Sequence, residues 1–117
     1  YGYDLGYFRR MLAAEAVDVQ QADATRCAGI SEFLRVGALC DAHQLPMSAH
    51  TAPALHLHPC CGLLRLRNIE YFHDHVRFEN LIFEGAPPPR AGRLHPDLSR
   101  PGFGLELKSR QASRYAA

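Results

Sequence analysis

No run of apolar residues in the chain approaches the roughly 18 that a membrane-spanning helix requires. The opening "YGYDLGYFRR" lacks the basic stretch and apolar core of a signal peptide, so neither a membrane protein nor a secreted one is expected. Blocks of like charge are missing as well. Thirteen Lys and Arg against twelve Asp and Glu leave a net charge of +1, and twelve of the thirteen basic residues are scattered arginines. That balance gives no argument for nucleic acid or an anionic membrane as partner. Cysteine is sparse: Cys27, Cys40, Cys60 and Cys61 do not have the spacing of a disulfide framework. Without a secretory signal they read as reduced thiols of a cytoplasmic protein. There is no internal repeat.

What is present suits one packed domain: 117 residues, of which 47% are hydrophobic. The stretch "ALHLHPCC", Ala54–Cys61, gathers four soft metal ligands in eight residues. On a helix only residues three or four apart share a face. His56, His58, Cys60 and Cys61 therefore do not converge on one ion, and adjacent cysteines fit none of the usual zinc patterns. No metal ligand is assigned within the chain.

Along the chain, Asp4–Ala16 has the period of a helix, with Asp4 as N-cap. "VDVQQAD", Val17–Asp23, reads as a strand. Ile30–Leu45 is the clearest helix, capped by Ser31 and stopped by Pro46. Pro46–His50 reads as a strand, Ala54–Leu66 as a helix weakened by Pro59, and Asn68–Phe72 as a strand. After about Glu84, proline and glycine mark an ordered extension, with "LELKS" as one last strand. Residues 1–80 are the expected main unit and residues 81–117 the extension. Alternating helices and short strands predict an α/β fold of parallel βα units. Right-handed crossovers bring the C-terminal ends of all three strands to one side. Asp23, His50 and Glu70 stand at those ends, where α/β folds keep their chemistry. On residues alone, a histidine beside a carboxylate is either an acid–base dyad or a satisfied core pair.

The stretches "QQADATRCAGISEFLRVGALCDAHQLPMSAH", "NIEYFHDH" and "RLHPDLSRPGFGLELK" resemble the C-terminal part of the enolase superfamily, mandelate racemase subgroup. The resemblance covers nearly the whole chain. It implies the sixth to eighth strands of a modified (β/α)8 barrel, three parallel βα units, with a C-terminal tail that packs toward a capping domain outside this chain. It also implies roles. His50 moves a proton, Asp23 orients it and favours its charged form, and Glu70 donates a hydrogen bond to the enolate oxygen, which requires a carboxyl that keeps its proton. His56, at the start of the seventh helix, and His73, just after the Glu70 strand, are implied to approach the substrate. Mg²⁺ is the implied cofactor, with its carboxylate ligands on earlier strands outside this chain.

Two departures stand out. Cys27–Ala28–Gly29 replaces a more glycine-rich turn, and Pro59 with Cys60–Cys61 interrupts a usually smooth helix. The implied reaction is removal of the α-proton of a small-molecule carboxylate. Dehydration of an acid sugar is preferred, and racemisation or epimerisation of a 2-hydroxy acid is the alternative. The full-length protein is expected to form a homo-oligomer. Two readings of other classes stand beside these: an inactive truncated fragment, since three strands cannot close a barrel, and a small Cys/His metal-binding module.

Overall fold

The computed structural model describes residues 2–116. Helix α1, Leu5–Ala13, begins where the Asp4 side chain accepts the Tyr7 N–H at 2.8 Å. Such a cap contributes about 1 kcal/mol. Phe8 and Leu12, one helical turn apart, are the residues it buries. Strand β1, Gln20–Ala22, leads into a turn in which Arg26 N–H and Cys27 N–H both donate to the Asp23 carbonyl.

Helix α2, Ile30–Ala42, buries Phe33, Val36 and Cys40, an i, i+3, i+7 stripe against the sheet. Ser31 is not its cap. The helix starts at Ile30 and Gly29, with φ 92°, takes the N-cap position without a side-chain bond. Ala28 (φ 65°) and Gly29 are both left-handed, so this turn keeps a glycine-like backbone with only one glycine. The helix also ends before the expected Leu45, because Gln44 turns left-handed ahead of Pro46.

Strand β2, Met47–Ala49, is buried at every position, as the central strand of a covered sheet should be. Helix α3, Pro53–Cys60, is shorter than expected. Pro53 opens it, a favoured first-turn position. After Pro59 and Cys61 the chain turns through Gly62, and Leu66 joins a strand instead of the helix. That strand, β3, Leu66–Ile69, therefore starts two residues early and stops just before Glu70. Its register against β2 shifts between Met47 and Ser48, which absorbs the extra residue.

The three strands form one parallel sheet in the order β1-β2-β3. This α/β arrangement matches the C-terminal part of a (β/α)8 barrel. The core packs one face of the sheet, that of Ala22, Met47 and Ala49, against the helices: Phe8, Phe33 and Val36 join these with Cys27, Cys40 and Cys60. All four cysteines are free. Burial pushes the Cys40 thiol up to about 11 and the Cys60 thiol to about 12, so both behave as small apolar residues.

Helix α4, His73–Ile82, begins at the first histidine of "NIEYFHDH". Beyond it, β4, Phe83–Glu84, pairs antiparallel with β5, Glu106–Leu107, inside the expected "LELKS" strand. A short helix α5, Ser109–Ala112, and a 3-10 turn, Ser113–Tyr115, follow. Gly85 (φ 92°) is demanded here: a Cβ would stand 2.1 Å from the Gly104 carbonyl oxygen. No helix among the described residues is long and apolar enough to cross a membrane.

Candidate active site

The parallel ladder runs one residue past each strand. His50 N–H donates to the Ala22 carbonyl and Glu70 N–H to the Ala49 carbonyl, each at 2.9 Å. Asp23, His50 and Glu70 are thus the residues that immediately follow β1, β2 and β3, on one rim of the sheet.

Asp23 is the most heavily bonded of them. Its Oδ2 lies 3.0 Å from His50 Nδ1, and its Oδ1 accepts Thr25 N–H at 2.8 Å and the Thr25 hydroxyl at 2.7 Å. The carboxylate side chain is only 7% exposed. Burial opposes its ionisation, but the hydrogen bonds from His50 and Thr25 outweigh it and hold the carboxyl below the ordinary carboxylate range. An ionised Asp23 accepts the Nδ1 proton of His50, which places the basic lone pair of that imidazole on Nε2. Thr51 Oγ1 stands 3.3 Å from the same Nδ1. His50 is partly exposed and borders an open cleft of about 300 Å³, shared with Asp23, Arg26 and Gln21 and walled by Tyr7, Phe8 and Met11 of α1.

Glu70 is tied to the same rim through Thr51, whose N–H donates to Glu70 Oε2 at 3.1 Å. That N–H is aimed by an unusual backbone. Thr51 (φ 48°) and Ala52 (φ 38°) are consecutive left-handed residues, and a β-branched residue there is a genuine outlier. Strain of this kind collects at functional sites.

His56 and His73 do not border this cleft. His56 is 0% exposed and is enclosed by the chain's own backbone groups. Its Nδ1 lies 2.9 Å from the Thr51 carbonyl and 3.1 Å from that of Ala52, and its Nε2 receives Ala24 N–H at 2.9 Å. His73 opens α4 with a side chain 88% exposed, beside Asp74, and does not border the cleft that His50 lines. The helix start turns it to solvent. In "ALHLHPCC", Cys60 is buried in the core while Cys61 is exposed and donates from Sγ to the Leu57 carbonyl. Among the described residues no three His, Cys, Asp or Glu side chains are grouped to hold a metal ion. Both Asp23 oxygens and the Oε2 of Glu70 face donors of the protein itself.

Two residues that shape this region escape sequence reasoning. Arg26 sits with Nε 3.4 Å from Asp23 Oδ2 and lines the cleft; the i, i+3 spacing after Asp23 was the available signal. Glu79 of α4 is buried and places both carboxylate oxygens 3.3 Å from Ala54 N–H, at the N-terminus of α3. Burial pushes its carboxyl up, partly countered by the Ala54 and Leu55 amides. No local pattern announces a cap supplied 25 residues away.

Comparison with known proteins agrees with this architecture. A mandelate racemase/muconate lactonizing enzyme-like protein from Rubrobacter xylanophilus superposes with a TM-score of 0.93 at 49% identity, over 100% of this chain and 32% of that one. L-talarate dehydratase from Polaromonas sp. JS666, solved with Mg and L-glucarate, superposes with a TM-score of 0.80 at 27% identity, over 92% of this chain and 29% of that one. L-talarate/galactarate dehydratase from Salmonella typhimurium is 32% identical over 106 residues, 91% of this chain. The chain spans 25% of that curated relative's length. The family model for the enolase C-terminal domain-like proteins matches residues 1–112, and the chain belongs to that family.

Proposed function

We propose that the full-length protein carrying this chain removes the α-proton of an acid sugar and eliminates water to form a 2-keto acid. The observation that carries the reading is the 3.0 Å contact between His50 Nδ1 and Asp23 Oδ2 on a rim shared with Glu70. Its support from relatives is that two similar proteins are dehydratases of talarate or galactarate.

In this reading His50 Nε2 takes the α-proton and becomes imidazolium, whose charge faces Asp23. The electron pair left on carbon moves into the carboxylate as an enediolate, to which Glu70 is assigned as hydrogen-bond donor. The enediolate collapses to expel the β-hydroxyl, which takes the proton from His50 and leaves as water. The enol tautomerises to the keto acid, and His50 is returned neutral. Mg²⁺, bound by carboxylates outside this chain, would supply charge stabilisation of the enediolate. The residues of this chain supply proton transfer and orientation alone.

The test is product analysis of the full-length enzyme with galactarate, L-talarate and L-glucarate. A 2-keto acid formed at the rate of substrate loss supports dehydration. Epimerised acid without a keto product establishes the racemase alternative, and no reaction at the α-carbon removes both.

A further inference from the structure

We infer that His56 is a positioning residue that locks together the loop after β1, which carries Asp23, and the loop after β2, which carries His50 and gives the Thr51 N–H to Glu70. This rests on the dehydratase reading above. The ring spans those loops. Nδ1 faces the Thr51 and Ala52 carbonyls, so it carries the proton; Nε2 receives the Ala24 amide, so it carries the lone pair. The tautomer is thus set from both sides, in a site closed to water.

The two halves of the ring do different work. Nε2 anchors Ala24, the first residue after Asp23, and sits 3.4 Å from Asp23 Oδ1. It fixes the start of the turn whose Thr25 groups orient that carboxylate toward His50. Nδ1 holds the carbonyls of the left-handed pair Thr51–Ala52 and so fixes the N–H that Thr51 gives to Glu70. Phe33 of α2 packs against the ring at 5.3 Å between centroids and stops it from rotating. A buried polar ring would be costly without partners. Here every polar atom of the ring has one, and each partner belongs to a loop of the site.

Glutamine and asparagine each reproduce one half of the ring. In His56→Gln the side-chain oxygen reaches the place of Nε2 and accepts Ala24 N–H. In His56→Asn the amide nitrogen takes the place of Nδ1 and donates to Thr51. The titratable groups around His50 and Asp23 include Arg26, Cys27, His56 and, through Thr51, Glu70. Losing the Asp23 anchor in His56→Asn lets the carboxylate drift from His50, so the imidazolium loses stabilisation. The acidic limb of the kcat/KM profile should move to lower pH, with kcat reduced by about 10²-fold, as for a misplacement near 1 Å. His56→Gln should keep the acidic limb in place and lose kcat through Glu70 instead.

The experiment measures both profiles in the full-length enzyme with an acid-sugar substrate, alongside His50→Asn and long-range ¹H–¹⁵N spectra of the wild-type His56 ring. A limb shift confined to His56→Asn and an Nδ1-protonated ring support the inference. Wild-type profiles in both variants, or equal activity loss with unmoved limbs in both, overturn it and leave a structural role only. An Nε2-protonated ring overturns it whether or not the variants fold. If His50→Asn keeps wild-type α-proton exchange, the dehydratase reading fails instead, whatever the His56 spectra show.

Discussion

Replacing Glu79 with alanine removes the acceptor of the Ala54 amide at the buried start of α3. An orphaned buried N–H costs about 1–3 kcal/mol. Loss of a negative charge at a helix N-terminus adds about 0.3–1 kcal/mol. The expected loss for Glu79→Ala is therefore about 1–4 kcal/mol. Glu79→Gln keeps an acceptor and removes the charge that burial already disfavours, so its expected cost is under about 1 kcal/mol. Burial raises the folded-state carboxyl above its unfolded value. The native state then binds more protons than the unfolded one between the ordinary glutamate value of about 4.3 and the raised value. Glu79 thus contributes most below that window, and its contribution declines as pH rises through the raised value. Glu79→Gln should flatten that slope. Denaturant melts of the full-length protein across pH read both effects. A glutamine variant as unstable as the alanine variant would refute the capping argument.

Asp23 has the opposite sign. Its folded carboxyl is held below the ordinary range, so its contribution is present above about 3.9 and lost as pH falls toward the lowered value; Asp23→Asn should remove that acid dependence in the same melts. Gly85→Ala should disrupt the β4–β5 pairing, because the new Cβ meets the Gly104 carbonyl, and local hydrogen exchange at Lys108 N–H, bonded to Ile82, should accelerate. Cys40 and Cys60 should resist alkylation of the native protein at neutral pH, since burial holds both thiols protonated; rapid labelling of either, followed by mass spectrometry, would contradict their core placement.

The parallel sheet and its rim were legible because helical periods alternate with short segments between them, with Asp4 marking the start of α1 and Pro46 the start of β2. Other features were not. Helix α4 buries little beyond Glu79 and carries charge through its first turn, so no apolar stripe marks it. The α2 start moved from Ser31 to Gly29 because a positive φ there, not a side-chain cap, turns the chain into the helix. The burial of His56 and the capping by Glu79 depend on contacts 32 and 25 residues away in sequence, which no window along the chain contains. A histidine at a helix start near a strand end reads as site-facing; here its partners are Ala24, Thr51 and Ala52, behind the rim.

The most direct test of the central claim follows the substrate α-proton. The full-length enzyme and its His50→Asn variant are incubated in D₂O with acid sugars, and deuterium at the α-carbon is followed by NMR. Asparagine keeps volume near Asp23 but cannot accept the proton, and general acid–base catalysis is worth about 10²–10⁴-fold. The account predicts exchange slowed by at least about 10²-fold in the variant, with Mg²⁺ binding measured by calorimetry left nearly intact. Exchange at the wild-type rate would show that His50 is not the base.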